Sequence, residues 1–173
     1  MNGSLVSLAA CHAAALETFL QDFDAAPKQL HGYFCGRDWP IEKAVASLQE
    51  WSRGENIKSG WVPCSTWFWE SEGALMGVIN VRHWLSPSLH QTGGHIGYSV
   101  APSHRRKGVA TAMLAAVLDN CRKLGIDRVL LTCDANNIAS IRTIEVNGGT
   151  LEKEEWLASE QRIQRWYWID LNQ

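Results

Sequence analysis

The chain has 173 residues, with 16 lysines and arginines against 18 aspartates and glutamates. That length is typical of one domain with a buried core, so we expect residues 1–173 to form a single domain. The nearly balanced charge disfavours a nucleic-acid-binding protein, which would need a broad cationic face.

The cysteines predict neither a disulfide framework nor a structural zinc site, because the five are scattered and form no Cys-x-x-Cys pair. Histidine and acidic residues show no metal-ligand spacing, so no metal is expected. The N-terminal segment lacks the basic start of a signal peptide, and no apolar run approaches the ~18 residues of a membrane span. We therefore expect a cytoplasmic protein with free thiols and no membrane partner.

The first half of the chain predicts two helices followed by a pair of strands. Residues 5–20 are Ala-rich with apolar residues at helical spacing, and residues 41–51 form a second helix after a loop broken by prolines and glycines. Residues 65–70 and 74–84 are typical of two strands joined by a tight turn.

The second half alternates between strands and helices. Residues 86–94 are expected to be a polar loop. The predicted elements that follow are a strand at 95–100, a helix at 108–124, a buried strand at 128–133, a helix at 137–146 and a strand pair at 150–156 and 162–171.

Three consecutive cations, Arg105, Arg106 and Lys107, lie between a predicted strand and a predicted helix. The first amides of a helix have no intrahelical acceptor and carry the positive end of the helix dipole, so an anion binds well there. Gly108 has no Cβ to block the approach of a ligand. The cluster is either a solvated turn or a site for a small anion such as a pyrophosphate.

The run from Arg105 to Ala110 resembles the Arg/Gln-x-x-Gly-x-Gly/Ala signature of the GCN5-related N-acetyltransferases (the GNAT superfamily). A second segment, Asn137 to Gly149, resembles the Asn-x-x-Ser/Ala helix of that family. The resemblance implies an α/β (α+β) GNAT fold, with a mixed, mostly antiparallel central sheet flanked by helices.

The resemblance also implies that acetyl-coenzyme A is the cosubstrate. Amides and side chains around Gly108 would hold its pyrophosphate, and the end of the third strand would pair with its pantetheine arm. The cofactor-binding residues carried over in this way are Tyr98, Ser99, Val100, Arg105, Arg106, Lys107, Gly108, Val109, Ala110, Thr111, Asn137 and Ser140.

The implied reaction is direct attack of an amine on the thioester in a ternary complex. Many relatives have a tyrosine acid seven residues after the Asn, where this sequence has Ile144. Ser140 is a substitute, with Tyr98 and Tyr167 as other donors, although a helical serine often bonds only to the backbone.

His95 is the candidate general base, because it begins the strand that would line the cofactor slot. A histidine at a Gly-Gly turn is more often structural, and His83 and Glu70 are weaker alternatives. Ser99 and Cys133 are not expected to be nucleophiles, since the Gly-x-Ser-x-Gly elbow is missing and Cys133 lies in an apolar strand.

The acceptor is predicted to be a primary amine of a small molecule or a peptide. Aromatic residues in loops could border its pocket or simply anchor the loops. The candidate acceptor residues are Tyr33, Trp39, Trp61 and His83.

Two other functions remain open from the sequence. The chain could be a catalytically degenerate coenzyme A sensor, which the missing tyrosine favours, or a module that binds another phosphorylated ligand. A monomer and a homodimer also remain open.

Overall fold

The structure is a computed structural model that describes residues 2–172. These residues contain seven strands and five α-helices. The strands are β1 Ser4–Val6, β2 Cys64–Ser71, β3 Ala74–Arg82, β4 Ile96–Val100, β5 Arg128–Asp134, β6 Thr150–Leu157 and β7 Arg162–Asp170. The helices are α1 Ala13–Gln21, α2 Ile41–Arg53, α3 Pro87–Gln91, α4 Val109–Lys123 and α5 Ile138–Val146.

The strands form two antiparallel sheets, ordered β1-β2-β3-β4 and β5-β7-β6. The expected α/β class, with antiparallel strands flanked by helices, is confirmed. The strands form two hydrogen-bonded sheets because β4 and β5 do not pair along their length. They meet at one end, where the amide of His95 donates to the carbonyl oxygen of Leu130 at 2.7 Å, and a gap lies between them beyond that point.

Two apolar cores lie on opposite sides of the first sheet. The apolar stripe of α4, including the fully buried Met113 and Leu114, packs with β5 and β7 on one side. The helices α1 and α2 cover the other side, where Phe19 and Phe68 meet edge to face at 5.7 Å. Both cores hold β3 and β4 in a fixed position, and the edge of β4 is therefore a rigid wall for any site in the gap.

The N-terminal helix predicted for residues 5–20 is too long. Leu5 lies in β1, paired with Trp69 of β2, and a short 3-10 turn at Ala10–His12 precedes α1. The edge of β2 supplies backbone partners to residues 4–6, which outweighs the helical preference of the local sequence.

The polar loop predicted at residues 86–94 contains the short helix α3. Ser86 caps it, accepting a hydrogen bond from the amide of Leu89 at 3.4 Å, and Pro87 starts its first turn. The other predicted helices and strands agree with the structure within a few residues. No helix of residues 2–172 combines the length and apolar character needed to cross a membrane.

Candidate functional site

The N-terminus of α4 presents unpaired amides to an open groove. Its first helical hydrogen bond runs from the amide of Ala112 to the carbonyl oxygen of Gly108 at 3.0 Å, so the amides of Val109, Ala110 and Thr111 precede the helical ladder. No side chain caps this end. Gly108 has a φ of 78°, and a Cβ built on it would meet nothing within 4 Å. This end of the helix is suited to an anion.

The three cations beside this helix differ in their surroundings. Arg105 is engaged by the protein: its Nε donates to the carbonyl oxygen of Val100 at 3.2 Å, and its Nη2 donates to Oε1 of Gln29 at 2.8 Å. Arg106 has a φ of 60° and lines the groove, whereas Lys107 is exposed and does not. Arg106 therefore has the side chain best placed to meet an anion at the helix end.

The edge of β4 offers peptide groups to the gap. The amide of Arg82 donates to the carbonyl oxygen of His95, and the amide of Ala101 donates to that of Met76. Successive residues of an antiparallel ladder direct their peptide groups to alternate sides, so those of Ser99 face β3. Those of Tyr98 and Val100 point the other way, toward β5. They can pair with an extended ligand, although the carbonyl of Val100 already accepts from an arginine.

The side chain of Ser99 fixes a loop rather than facing the gap. Its buried hydroxyl donates to the carbonyl oxygen of Gln29 at 2.8 Å and accepts from the amide of His31 at 2.6 Å. Gly32 then lies against β4 so closely that a Cβ on it would be 2.6 Å from the carbonyl oxygen of Gly97. The loop is thereby held above β4.

Two polar side chains meet across the gap. The hydroxyl of Tyr98 on β4 donates to Oγ of Ser140 on α5 at 3.1 Å. Asn137 caps α5, its Oδ1 accepting from the amide of Ser140 at 3.1 Å, which leaves its side-chain NH2 free for a ligand. Burial raises the pKa of Tyr98, so the phenol keeps its proton at neutral pH.

Two cavities meet at this pair of hydroxyls. A groove of about 640 Å³ runs from the N-terminus of α4 along β4 and α5. A second cavity of about 450 Å³ lies between β4, β5 and the start of β7. Four side chains line both of them: His31, Tyr98, Asn137 and Ser140. A ligand in the groove could therefore present its end to a second ligand through the gap.

His95 lies in a structural environment that argues against its predicted role as a base. It is 7% exposed, lines neither cavity, and accepts a hydrogen bond at Nδ1 from the amide of Leu130 at 2.9 Å. Burial, with a smaller contribution from His90 and Arg82, lowers its pKa to about 4. Its position before β4 is dictated by the contact with β5.

The four predicted acceptor residues do not come together. Tyr33 is buried in the core against Phe68, and Trp39 packs on Trp51. Nε2 of His83 lies 2.8 Å from Oγ of Ser65. Trp61 lines an apolar cavity that is distinct from the one at the gap.

Sequence reasoning did not find three residues of the site. Gln29 and His31 lie in a loop without a motif, and Arg82 has an ordinary position near the end of a predicted strand. His31 faces both cavities, and burial together with the charge of Arg82 lowers its pKa. Only spatial proximity connects these residues to the gap, so no local pattern could have indicated them.

Cys133 lines the cavity but is not activated. Burial raises its pKa to about 11, so the side chain is a neutral thiol, as the sequence indicated. Among residues 2–172, no group of three or more histidine, cysteine or acidic side chains is arranged to hold a metal ion.

Comparison with known proteins matches residues 29–148 to the Acetyltransferase (GNAT) family. No curated protein matches the chain. Three similar solved structures share between 16% and 21% identity with this chain, which supports the fold alone.

The first is RimJ of Mycobacterium smegmatis in complex with a coenzyme A disulfide, with 21% identity, coverage of 96% of this chain and 80% of that one, and a TM-score of 0.67. The second is a Salmonella typhimurium acetyltransferase that modifies the N-terminal serine of a ribosomal subunit protein, with 18% identity, coverage of 96% and 93%, and a TM-score of 0.65. The third is yncA of Salmonella typhimurium with acetyl-coenzyme A, with 16% identity, coverage of 99% and 94%, and a TM-score of 0.63.

Proposed function

Since this chain belongs to the acetyltransferase (GNAT) family, we propose that it transfers the acetyl group of acetyl-coenzyme A to a primary amine. One observation carries the proposal: a groove begins at an uncapped helix N-terminus and ends at a gap between two strands that opens into a second cavity. Neighbours with this fold bind coenzyme A or acetyl-coenzyme A.

The residues of the groove fit coenzyme A. The pyrophosphate would accept hydrogen bonds from the amides of Val109 to Thr111 and from the side chain of Arg106. The pantetheine arm would pair with the peptide groups of Tyr98 and Val100 in the manner of an added strand. The NH2 group of Asn137 would donate to a carbonyl of the arm.

The bound thioester supplies an acyl carbon that a neutral amine can attack directly, forming the C–N bond as the C–S bond breaks. His31 faces both cavities, and its lowered pKa keeps the ring neutral at pH 7, so it can accept the proton that the amine must lose. The hydroxyls of Tyr98 and Ser140 would protonate the departing thiolate, a role supported by their hydrogen bond across the gap. Ile144, at the position of the usual tyrosine, is buried and takes no part.

The groove is tested by Gly108→Asp, which brings a carboxylate and a Cβ to the helix end. We expect the dissociation constant for coenzyme A, measured by calorimetry, to rise at least tenfold, which is about 1.4 kcal/mol. Gly125→Asp is the matched control, because Gly125 also has a positive φ, 75°, and open space at its Cβ but lies outside the groove. Equal affinities in the two variants would contradict the assignment.

Activity is tested by thiol release from acetyl-coenzyme A over a panel of small amines and short peptides. Amine-dependent release supports a transferase. Coenzyme A binding without release for any amine would instead favour a sensor that binds the cofactor, a function that the replacement of the usual tyrosine by Ile144 leaves open.

A further inference from the structure

Arg82 is a cation that the protein itself does not neutralise. It lies at the end of β3, and its Nη1 donates to the carbonyl oxygens of Gly93 and Gly94, each at 3.1 Å. No carboxylate of residues 2–172 forms an ion pair with it. Burial lowers its pKa, which expresses the cost of holding this charge away from water.

One edge of this guanidinium has no partner within the protein. Its Nε and Nη2 have no acceptor in the part of the chain that the structure describes, yet neither is sealed from solvent. Nη2 lies over Gly97, 3.6 Å from the position that a Cβ would take there, which is an ordinary van der Waals distance. The Nε–Nη2 edge presents two parallel N–H groups, which match the two oxygens of a carboxylate.

Arg82 stands between two cavities. It lines the cavity at the gap, and it also lines an apolar cavity of about 270 Å³ whose walls include Phe34, Trp61 and Leu89. The rings of Phe34 and Trp61 meet edge to face at 5.4 Å, and the guanidinium carbon of Arg82 lies 5.8 Å from the Phe34 ring centre. An anionic group and an apolar group on one ligand could therefore bind side by side.

The cavity at the gap has an acidic side as well. Asp134 lines it, and no cation of residues 2–172 pairs with its carboxylate. The other arginine of this cavity, Arg162, is already bound to Glu160 through Nε at 2.7 Å. The unmatched charges of the cavity are thus one cation and one anion, which suits a zwitterion.

Resting on the proposed acetyl transfer, we propose that Arg82 binds the carboxylate of the acceptor and that the acceptor is an amino acid with an apolar side chain. The side chain enters the cavity of Phe34 and Trp61, and the amine points toward the gap and Asp134. A peptide N-terminus, which has an amide in place of the free carboxylate, is a poorer acceptor.

The test compares phenylalanine, phenylalaninamide and phenethylamine, which share the ring and the amine and differ in the carboxylate. In the wild-type protein we expect kcat/KM for phenylalanine to exceed the other two at least tenfold. Arg82→Gln should remove that preference through KM, and Arg82→Lys should retain a part of it. The double variant Glu160→Gln/Arg162→Gln, which removes an internally neutralised pair from the same cavity, is the matched control and should keep the preference. Equal rates for the three amines in the wild type would overturn the proposal.

A binding measurement separates this proposal from the activity itself. The coenzyme A complex is titrated by calorimetry with N-acetylphenylalanine and with its amide, so no turnover is needed. Tighter binding of the acid, lost in Arg82→Gln, supports the carboxylate site even if no amine is acetylated. If Arg82→Gln lowers the melting temperature but leaves the ratio of the dissociation constants of the acid and the amide unchanged, Arg82 only supports the turn at Gly93 and Gly94. That result would overturn the proposal.

Discussion

Acid should destabilise this fold through His95 in particular. The imidazole is buried between β4 and β5 and accepts a hydrogen bond from the amide of Leu130, so a proton on Nδ1 would break that bond and place a charge in the core. Its pKa falls from 6.5 to about 4 in the folded chain. Because the pKa of His95 is lower in the folded chain than in the unfolded chain, its contribution to the free energy of unfolding is complete above pH 6.5 and is lost as the pH falls toward 4.

The magnitude follows from the two pKa values. A difference of about 2.5, from 6.5 to about 4, corresponds to about 3 kcal/mol at full protonation. At about pH 5, nearly every unfolded chain carries the proton on this histidine, while about nine in ten folded chains do not. The free energy of unfolding should therefore be about 2 kcal/mol lower at pH 5 than at pH 7.5 from this group alone.

The assay is urea unfolding of the wild type and of His95→Asn at both pH values. Asparagine offers an oxygen to the amide of Leu130 but does not titrate, and all other titrating groups are shared, so the difference between the two proteins isolates His95. His95→Ala should be less stable at every pH, by about 1–3 kcal/mol, because the amide of Leu130 loses its acceptor. Equal losses on acidification in the wild type and in His95→Asn would refute the reasoning.

Three further predictions concern the gap and its loop. Tyr98→Phe and Ser140→Ala should each lower kcat, measured by thiol release, by about tenfold or more. If the two hydroxyls act as a unit, the kcat of the double variant should be little lower than that of either single variant. Additive losses of kcat would contradict this. In the wild type, kcat/KM should decrease at pH values below the lowered pKa of His31, because the ring becomes protonated there. His31→Gln should abolish this decrease, and an unchanged pH profile of kcat/KM would exclude His31 as the base. Gly32→Ala should lower the free energy of unfolding by about 1–3 kcal/mol more than Gly60→Ala does. Both glycines have a positive φ, but only Gly32 lies against a backbone carbonyl. Equal losses of unfolding free energy in urea would count against the close contact.

The sequence predicted the elements that form the groove because its signals there are local. The turn before α4, the glycine at its start and the Asn cap of α5 lie within short segments, where a residue type and its backbone conformation are directly linked. The family resemblance joined these segments, and the family match over residues 29–148 agrees with it.

On the proposed acceptor side the sequence indicated only Trp61, because long-range contacts build the rest. Ser99 was expected to bind the cofactor, but its hydroxyl holds a loop almost seventy residues earlier in the chain. Arg82 looked like the polar end of a strand, and only the folded chain brings its guanidinium between the turn at Gly93 and Gly94 and the cavity at the gap. His95 was favoured as the base from its place in the sequence, where its contact with Leu130, 35 residues away, is not visible.

The loop held by Ser99 has a consequence for protein engineering. Gln29 touches Arg105 beside the α4 terminus, while His31, two residues later, faces the cavity at the gap. A redesign of residues 29–32 would also shift the contact with Arg105. Under the proposed function, the Michaelis constants of cofactor and acceptor would then change together, whereas changes at Arg82 and around Trp61 would leave the contact between Gln29 and Arg105 in place.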